Sequence, residues 1–165
     1  FCKISLALIA STTIHDVVHN IITSALIGTS VHDNAVVSGD VGTPAGSVGF
    51  NLYNTVDCTG TPTTETVSLS GGSAESSTAS VTNTGLSYKA HYSGQFRVYT
   101  PADGECEPLS ALKLTPTVST EIHDSSEAAA AFAAAGTSVH DKALVAGSGP
   151  APAGSVDFTF YENNI

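Results

Sequence analysis

The segment Gly28-Thr29-Ser30-Val31-His32-Asp33 returns as Gly136-Thr137-Ser138-Val139-His140-Asp141, an offset of 108 residues. Other segments keep the same register. Thr12-Thr13-Ile14-His15-Asp16 matches Thr120-Glu121-Ile122-His123-Asp124, and Pro44-Ala45-Gly46-Ser47-Val48 matches Pro152-Ala153-Gly154-Ser155-Val156. Phe50 and Tyr53 return as Phe158 and Tyr161. A period of this length is too long for a solenoid unit of roughly 20–50 residues and suits a whole β-sandwich domain. Cys2-Lys3-Ile4-Ser5-Leu6 also resembles Cys106-Glu107-Pro108-Leu109-Ser110. The repeat therefore divides the chain into residues 1–10 as the closing strand of a preceding module, 11–113 as a complete module, and 114–165 as the first half of the next.

Alternation of apolar and polar residues marks the strands. Val31, Asp33, Ala35 and Val37 form an inward set, with His32 and Asn34 outward. Val48, Phe50 and Leu52 share a face, as do Leu86, Tyr88, Ala90 and Tyr92, and these supply the predicted core residues Val48, Phe50, Leu52, Tyr88, Ala90 and Tyr92. Gly, Pro, Asn and Ser punctuate the intervals, so the fold class is all-β, a sandwich of short strands. One segment resists: residues 127–135, Glu-Ala-Ala-Ala-Ala-Phe-Ala-Ala-Ala, carry high helix propensity. Their counterpart at 19–27 is rich in β-branched residues, and the flanking motifs hold register, so strand is expected in both copies.

Taken together, Gly-Thr-Ser-Val-His-Asp-x-Ala-x-Val, Pro-Ala-Gly-Ser-Val-x-Phe, Leu86-x-Tyr88-x-Ala90-x-Tyr92-Ser93-Gly94 and Cys106-Glu107-Pro108-Leu109 resemble the bacterial immunoglobulin-like repeats of large surface and secreted proteins. The resemblance implies immunoglobulin-like β-sandwich modules in tandem, used as spacer, stalk or fibre units, with no catalytic residues. It also implies that Tyr88 occupies a tyrosine-corner position, ring in the core and hydroxyl tied to backbone, and that Ala90 stands where antibody domains carry a cysteine.

Composition narrows the partners. The net charge of −10, with five Lys plus Arg, leaves no basic patch for a phosphate backbone and excludes nucleic acid as the expected partner. No apolar run approaches the roughly 20 residues that span a bilayer, and the stretch Ile4 to Ala10 lacks the basic flank of a signal peptide. Of the three cysteines, Cys58 and Cys106 fall within one module and are expected to pair, whereas Cys2 is the equivalent of Cys106 in the preceding module and is unpaired within this chain. Such a cross-link places the protein outside the cell or on its surface.

Candidate chemistry centres on four His-Asp pairs: His15-Asp16, His32-Asp33, His123-Asp124 and His140-Asp141. Strand neighbours point to opposite faces, so one pair cannot chelate an ion with both side chains. A metal site would need His15, His19 and His32 to converge, and Glu127 in place of His19 in the second copy argues against it. No metal or other cofactor is expected, and the Asp residues are read as bonding to backbone or Thr hydroxyls at strand ends. There is no Asp-x-Asp-x-Asp-Gly calcium loop and no Gly-x-Ser-x-Gly elbow, and Lys3, Lys89, Lys113 and Lys142 carry no isopeptide signature.

The expected function is a structural repeat unit of an extracellular fibre, stalk or filament, not an enzyme. Its partners are copies of itself, in a continuous array or by strand complementation between subunits. The alternative is an adhesin-type module that recognises glycan or a host surface protein through its loops, with Phe96 and Tyr99 as the aromatic candidates; the competing role for both is to cap the core.

Overall fold

A computed structural model describes residues 8–149 and 151–161. The described residues contain twelve strands and no helix. They form two compact units, Phe1–Lys113 and Leu114–Ile165.

In the first unit, β1 (Leu8–Asp16), β3 (Ser30–Ser38), β6 (Ser73–Glu75) and β7 (Ala79–Ser80) make one sheet. The order is β1-β3-β6, with β7 also on β3. The second sheet runs β2 (Ser24–Leu26), β10 (Glu107–Leu112), β8 (Leu86–Tyr92), β4 (Ser47–Tyr53), β5 (Thr63–Ser68), with β9 (Ala102–Asp103) on β8. All pairings are antiparallel except β2 on β10, where Ser24 faces Ser110 in parallel register. Both sheets contribute to one buried cluster: Ile14, Val31, Ala35, Val37 and Ala74 from the first, Val48, Phe50, Leu86, Tyr88, Ala90, Tyr92 and Leu109 from the second. Two sheets sharing one core is the arrangement of a β-sandwich.

Alternation is the cause. Phe50 pairs with Ala90 and Val48 with Tyr92, so large and small residues interleave on the inner face. Leu52 is half-buried against the same cluster, at the end of β4 where the sheet opens to solvent. The inward set of β3 is Val31, Asp33, Ala35 and Val37, all buried. His32 keeps the expected outward orientation, pointing away from that core, yet is only 6% exposed. The turn that follows β1 folds over it. The tyrosine whose hydroxyl is tied to backbone is not Tyr88, which meets the Ser76 side chain. Tyr92 donates to Ala45 O at 2.7 Å, and Tyr99 donates to Gly42 O at 3.0 Å while accepting from Val41 N at 2.8 Å.

One boundary and one strand assignment read differently from the sequence expectation. Leu8, Ile9 and Ala10 run continuously into β1, with Leu8 opposite Ser38 and Ile9 opposite Val37, and so join the first strand of the module. Residues 1–7, including Cys2 and Lys3, lie outside the described residues. The segments at 19–27 and 127–135 are mostly not strand. The first contains only the three residues of β2 and an isolated bridge from His15 to Ile21, and the second only the bridge from His123 to Ala129. In the first unit β10 supplies an edge for β2; among the described residues of the second unit no such edge exists.

Among the described residues of the second unit, β11 (Thr117–Asp124) pairs with β12 (Val139–Ala146). Ile122 faces Asp141 and His123 faces His140, the pairings that Ile14 and Asp33, and His15 and His32, make in the first unit. Val118, Ile122 and Val139 are exposed here.

Candidate functional site

Both units build the same histidine-lined turn at the end of the first strand. The carboxylate of Asp16 accepts from the amides of Val18 and Asn20, each at 2.9 Å, and from Asn20 Nδ2 at 2.9 Å. Those bonds hold the Asp16 carboxyl below its ordinary pKa, the Asn20 side chain contributing most. Backbone closes the loop, with Asp16 N donating to Asn20 O and His19 N to Asp16 O, both at 3.0 Å. In the second unit Asp124 accepts from the amides of Ser126 and Ala128, Asp124 N donates to Ala128 O at 2.9 Å, and Glu127 N to Asp124 O at 3.1 Å. His19 and Glu127 occupy the same place with φ of 62° and 64°. That left-handed conformation is uncommon for either residue type.

The turn brings His19 over the cross-strand pair His15 and His32. Ring centroids lie 5.0 Å apart for His19 and His32, 5.6 Å for His15 and His32, and 6.2 Å for His15 and His19. Each imidazole offers a ring nitrogen, and the three nitrogens lie within 4.8 Å of one another; one donor atom each from His123, Glu127 and His140 meets the same limit. The convergence considered from sequence is thus present, and Glu127 keeps its place in the second cluster.

The surroundings of the two clusters differ. His15 Nε2 is hydrogen-bonded to Thr13 Oγ1 at 3.0 Å, whereas His15 Nδ1 and His32 Nε2 are buried without a partner. Glu75 Oε1 stands 3.7 Å from His19 Nδ1 and accepts from Asn34 Nδ2 at 3.1 Å. Burial pushes the His32 pKa down, the His19 and His15 charges add to this, and the Glu75 carboxylate opposes it. In the second unit His123 is engaged at both nitrogens, by Glu127 O at 3.0 Å and Glu121 Oε2 at 3.2 Å. Glu127 in turn meets His140 Nε2 at 3.3 Å and Lys142 Nζ at 3.7 Å.

Behind His32, on the core face, Asp33 is fully buried. Its carboxylate oxygens have no hydrogen bond of good geometry, and the approaching amides of Asn34 and Thr13 do not offset the burial. Burial, with a smaller like-charge push from Glu107, raises its pKa to about 8. The sequence reading of the Asp residues as strand-end caps therefore describes Asp16 and Asp124 but not Asp33. Glu107 is itself raised by burial and accepts from the Thr12 hydroxyl, joining the first and last strands.

Cys58 and Cys106 form a disulfide across 48 residues. Cys58 lies in the loop after β4, its amide donating to Ser87 Oγ at 3.0 Å. After β8 the chain doubles back, β9 pairing with His91 and Tyr92 and Gly104 N donating to Ala90 O. This return delivers Cys106 beside Tyr88, which is opposite Glu107. The bridge thus ties the two flanks of β8 together.

Of the two aromatic loop candidates, Tyr99 is buried and caps the core, whereas Phe96 is 85% exposed. Phe96 sits at a turn closed by Gln95 N to Tyr99 O at 2.9 Å, with the Arg97 guanidinium 5.0 Å from its ring centroid. No helix among the described residues is long and apolar enough to cross a membrane. Comparison of the chain with protein-family models, curated proteins and solved structures found no match.

Proposed function

We propose that the chain is part of a tandem array of immunoglobulin-like modules serving as the structural unit of an extracellular stalk or fibre. One observation carries this reading: the 108-residue sequence repeat corresponds to a repeat of backbone. The His-Asp turn, the β1/β3 and β11/β12 registers from Ser11 and Ser119 onward, and the Gly28 and Gly136 turns with φ of 85° and 90° are alike in both copies. The immunoglobulin-like assignment is supported by the way the N-terminal segment changes sheet. It pairs with β3 as β1 and then runs parallel to the last strand β10 as β2, while β8 and β4 occupy the middle of the second sheet. The disulfide fits an oxidising, extracellular setting.

In the first unit the second sheet covers Ile14 of β1 and Val31 of β3; in the second unit the corresponding Ile122 and Val139 are open. The rest of a module is the natural cover, supplied by continuing chain or by a strand from another copy. Denaturing electrophoresis of native material, probed with antibody against this chain, tests the array. A species far above 16.7 kDa in the extracellular fraction is expected. A band at 16.7 kDa alone overturns the continuous array and leaves cover by a strand from another copy, and a species confined to the cytoplasm overturns the extracellular reading.

A second reading rests on Phe96. An exposed aromatic with a cation stacked on it is the kind of group that engages a sugar face or a partner protein. A glycan array with the whole chain tests this, and loss of any signal on Phe96→Ala identifies the loop.

A further inference from the structure

We propose that His15, His19 and His32 form a binding site for a divalent transition ion of the zinc class, and that His123, Glu127 and His140 form a weaker version in the second unit.

The donor set is the first reason. Three imidazoles from two strands and a turn, with no thiolate among them, make a set that suits zinc and other borderline transition ions. Calcium and magnesium prefer oxygen ligands. The second unit replaces one imidazole with a carboxylate and retains two, also a known zinc donor combination. The exchange at position 127 therefore preserves metal-ligand chemistry.

The unpartnered nitrogens are the second and independent reason. Buried polar atoms in folded proteins nearly always have partners, yet His15 Nδ1 and His32 Nε2 have none. A bound cation would satisfy such atoms. The surrounding groups match what orients ligating histidines, whose second nitrogen is usually held by an oxygen. The Thr13 hydroxyl holds His15 Nε2, and the Glu75 carboxylate stands beside His19 with its own position fixed by Asn34.

The distances permit closure. Nitrogens around a tetrahedral zinc at bonds of about 2.1 Å stand roughly 3.4 Å apart, so a trio within 4.8 Å closes by no more than about 1.4 Å. His19 is exposed on its turn and supplies the movement, while the Asp16 hydrogen bonds keep its backbone in place. In the second unit Glu127 is engaged by His140 and Lys142, and His123 by Glu121 and the Glu127 carbonyl. Binding there must displace existing partners, which sets the order of affinities.

The test is zinc titration of the full chain after chelator treatment, at mildly alkaline pH, with calorimetry and thermal melting as readouts. One tight site per chain is expected, zinc raising the melting temperature and calcium leaving it unchanged. His19→Asn keeps a residue that tolerates positive φ. This variant is expected to melt like the metal-free parent yet bind zinc roughly tenfold or more weakly. Glu127→His is expected to add a second tight site. Absence of zinc binding to the stripped chain, or tight binding unchanged in His19→Asn, overturns the first site. A Glu127→His chain that still shows a single tight site overturns the second.

Discussion

Asp33 shows how one residue sets a pH response. Its carboxyl titrates at about 8 in the folded chain against 3.8 when solvated, so the folded state holds a proton that the unfolded state releases across that window. The associated stability is complete below the unfolded value and is lost as pH rises through about 8, at up to about 1.4 kcal/mol per pH unit. Glu107, also raised, adds to the same trend. Asp33→Asn is therefore expected to flatten the dependence of urea midpoint on pH above about pH 5 and to raise stability at neutral pH. The measurement belongs in chelator, so that the neighbouring imidazoles hold no ion. Gly39 makes a second residue-scale case. A Cβ there would lie 2.3 Å from the Tyr99 ring, and the ring is fixed by hydrogen bonds to Gly42 and Val41. Gly39→Ala is expected to lose about 1–3 kcal/mol in chemical denaturation by overpacking. Neither effect is legible in the sequence alone. Alternation puts Asp33 on the inward face but cannot show that its carboxyl finds no hydrogen bond there, and core capping by Tyr99 is foreseeable while the segment nearly sixty residues earlier that its hydroxyl meets is not.

At the scale of elements, period-two alternation was sufficient to identify β3, β4 and β8 and their inward faces, because each packs one side on the core. It was silent on β2, β6, β7 and β9. These are two or three residues long, and what makes them strands is a partner brought from far along the chain. Alternation put His32 on the outer face and could not foresee its burial for the same reason: its cover is the turn after β1, not the opposite sheet. The disulfide was foreseeable from repeat arithmetic, whereas the path that brings Cys106 back to Cys58 is not, because it depends on β9 returning the chain along β8. The bridge's contribution follows from the sequence separation of 48, about 4 kcal/mol in the chain-entropy model. The double variant Cys58→Ser, Cys106→Ser is expected to fold to the same secondary structure by circular dichroism and to unfold at correspondingly lower denaturant.

For the whole molecule, the repeat was the most informative feature of the sequence, since it set the module size before any strand was assigned. It could not supply sheet order, which depends on contacts that cross the module. Pulling on the chain ends makes the difference measurable. The disulfide withholds the 48-step span from Cys58 to Cys106 from extension, at roughly 3.4 Å per step about 160 Å. Single-molecule stretching is expected to show a first-unit unfolding step longer by that amount when reductant is added, and an unchanged step would mean that the bridge is absent under load. The turn shared by His19 and Glu127 has a wider consequence. Asp16 and Asp124 fix the loop from behind, so the side chain at its apex is free to vary without redrawing the strands. In the proposed array, successive copies could then diverge in their appetite for cations one codon at a time, while the thread that joins them stays the same.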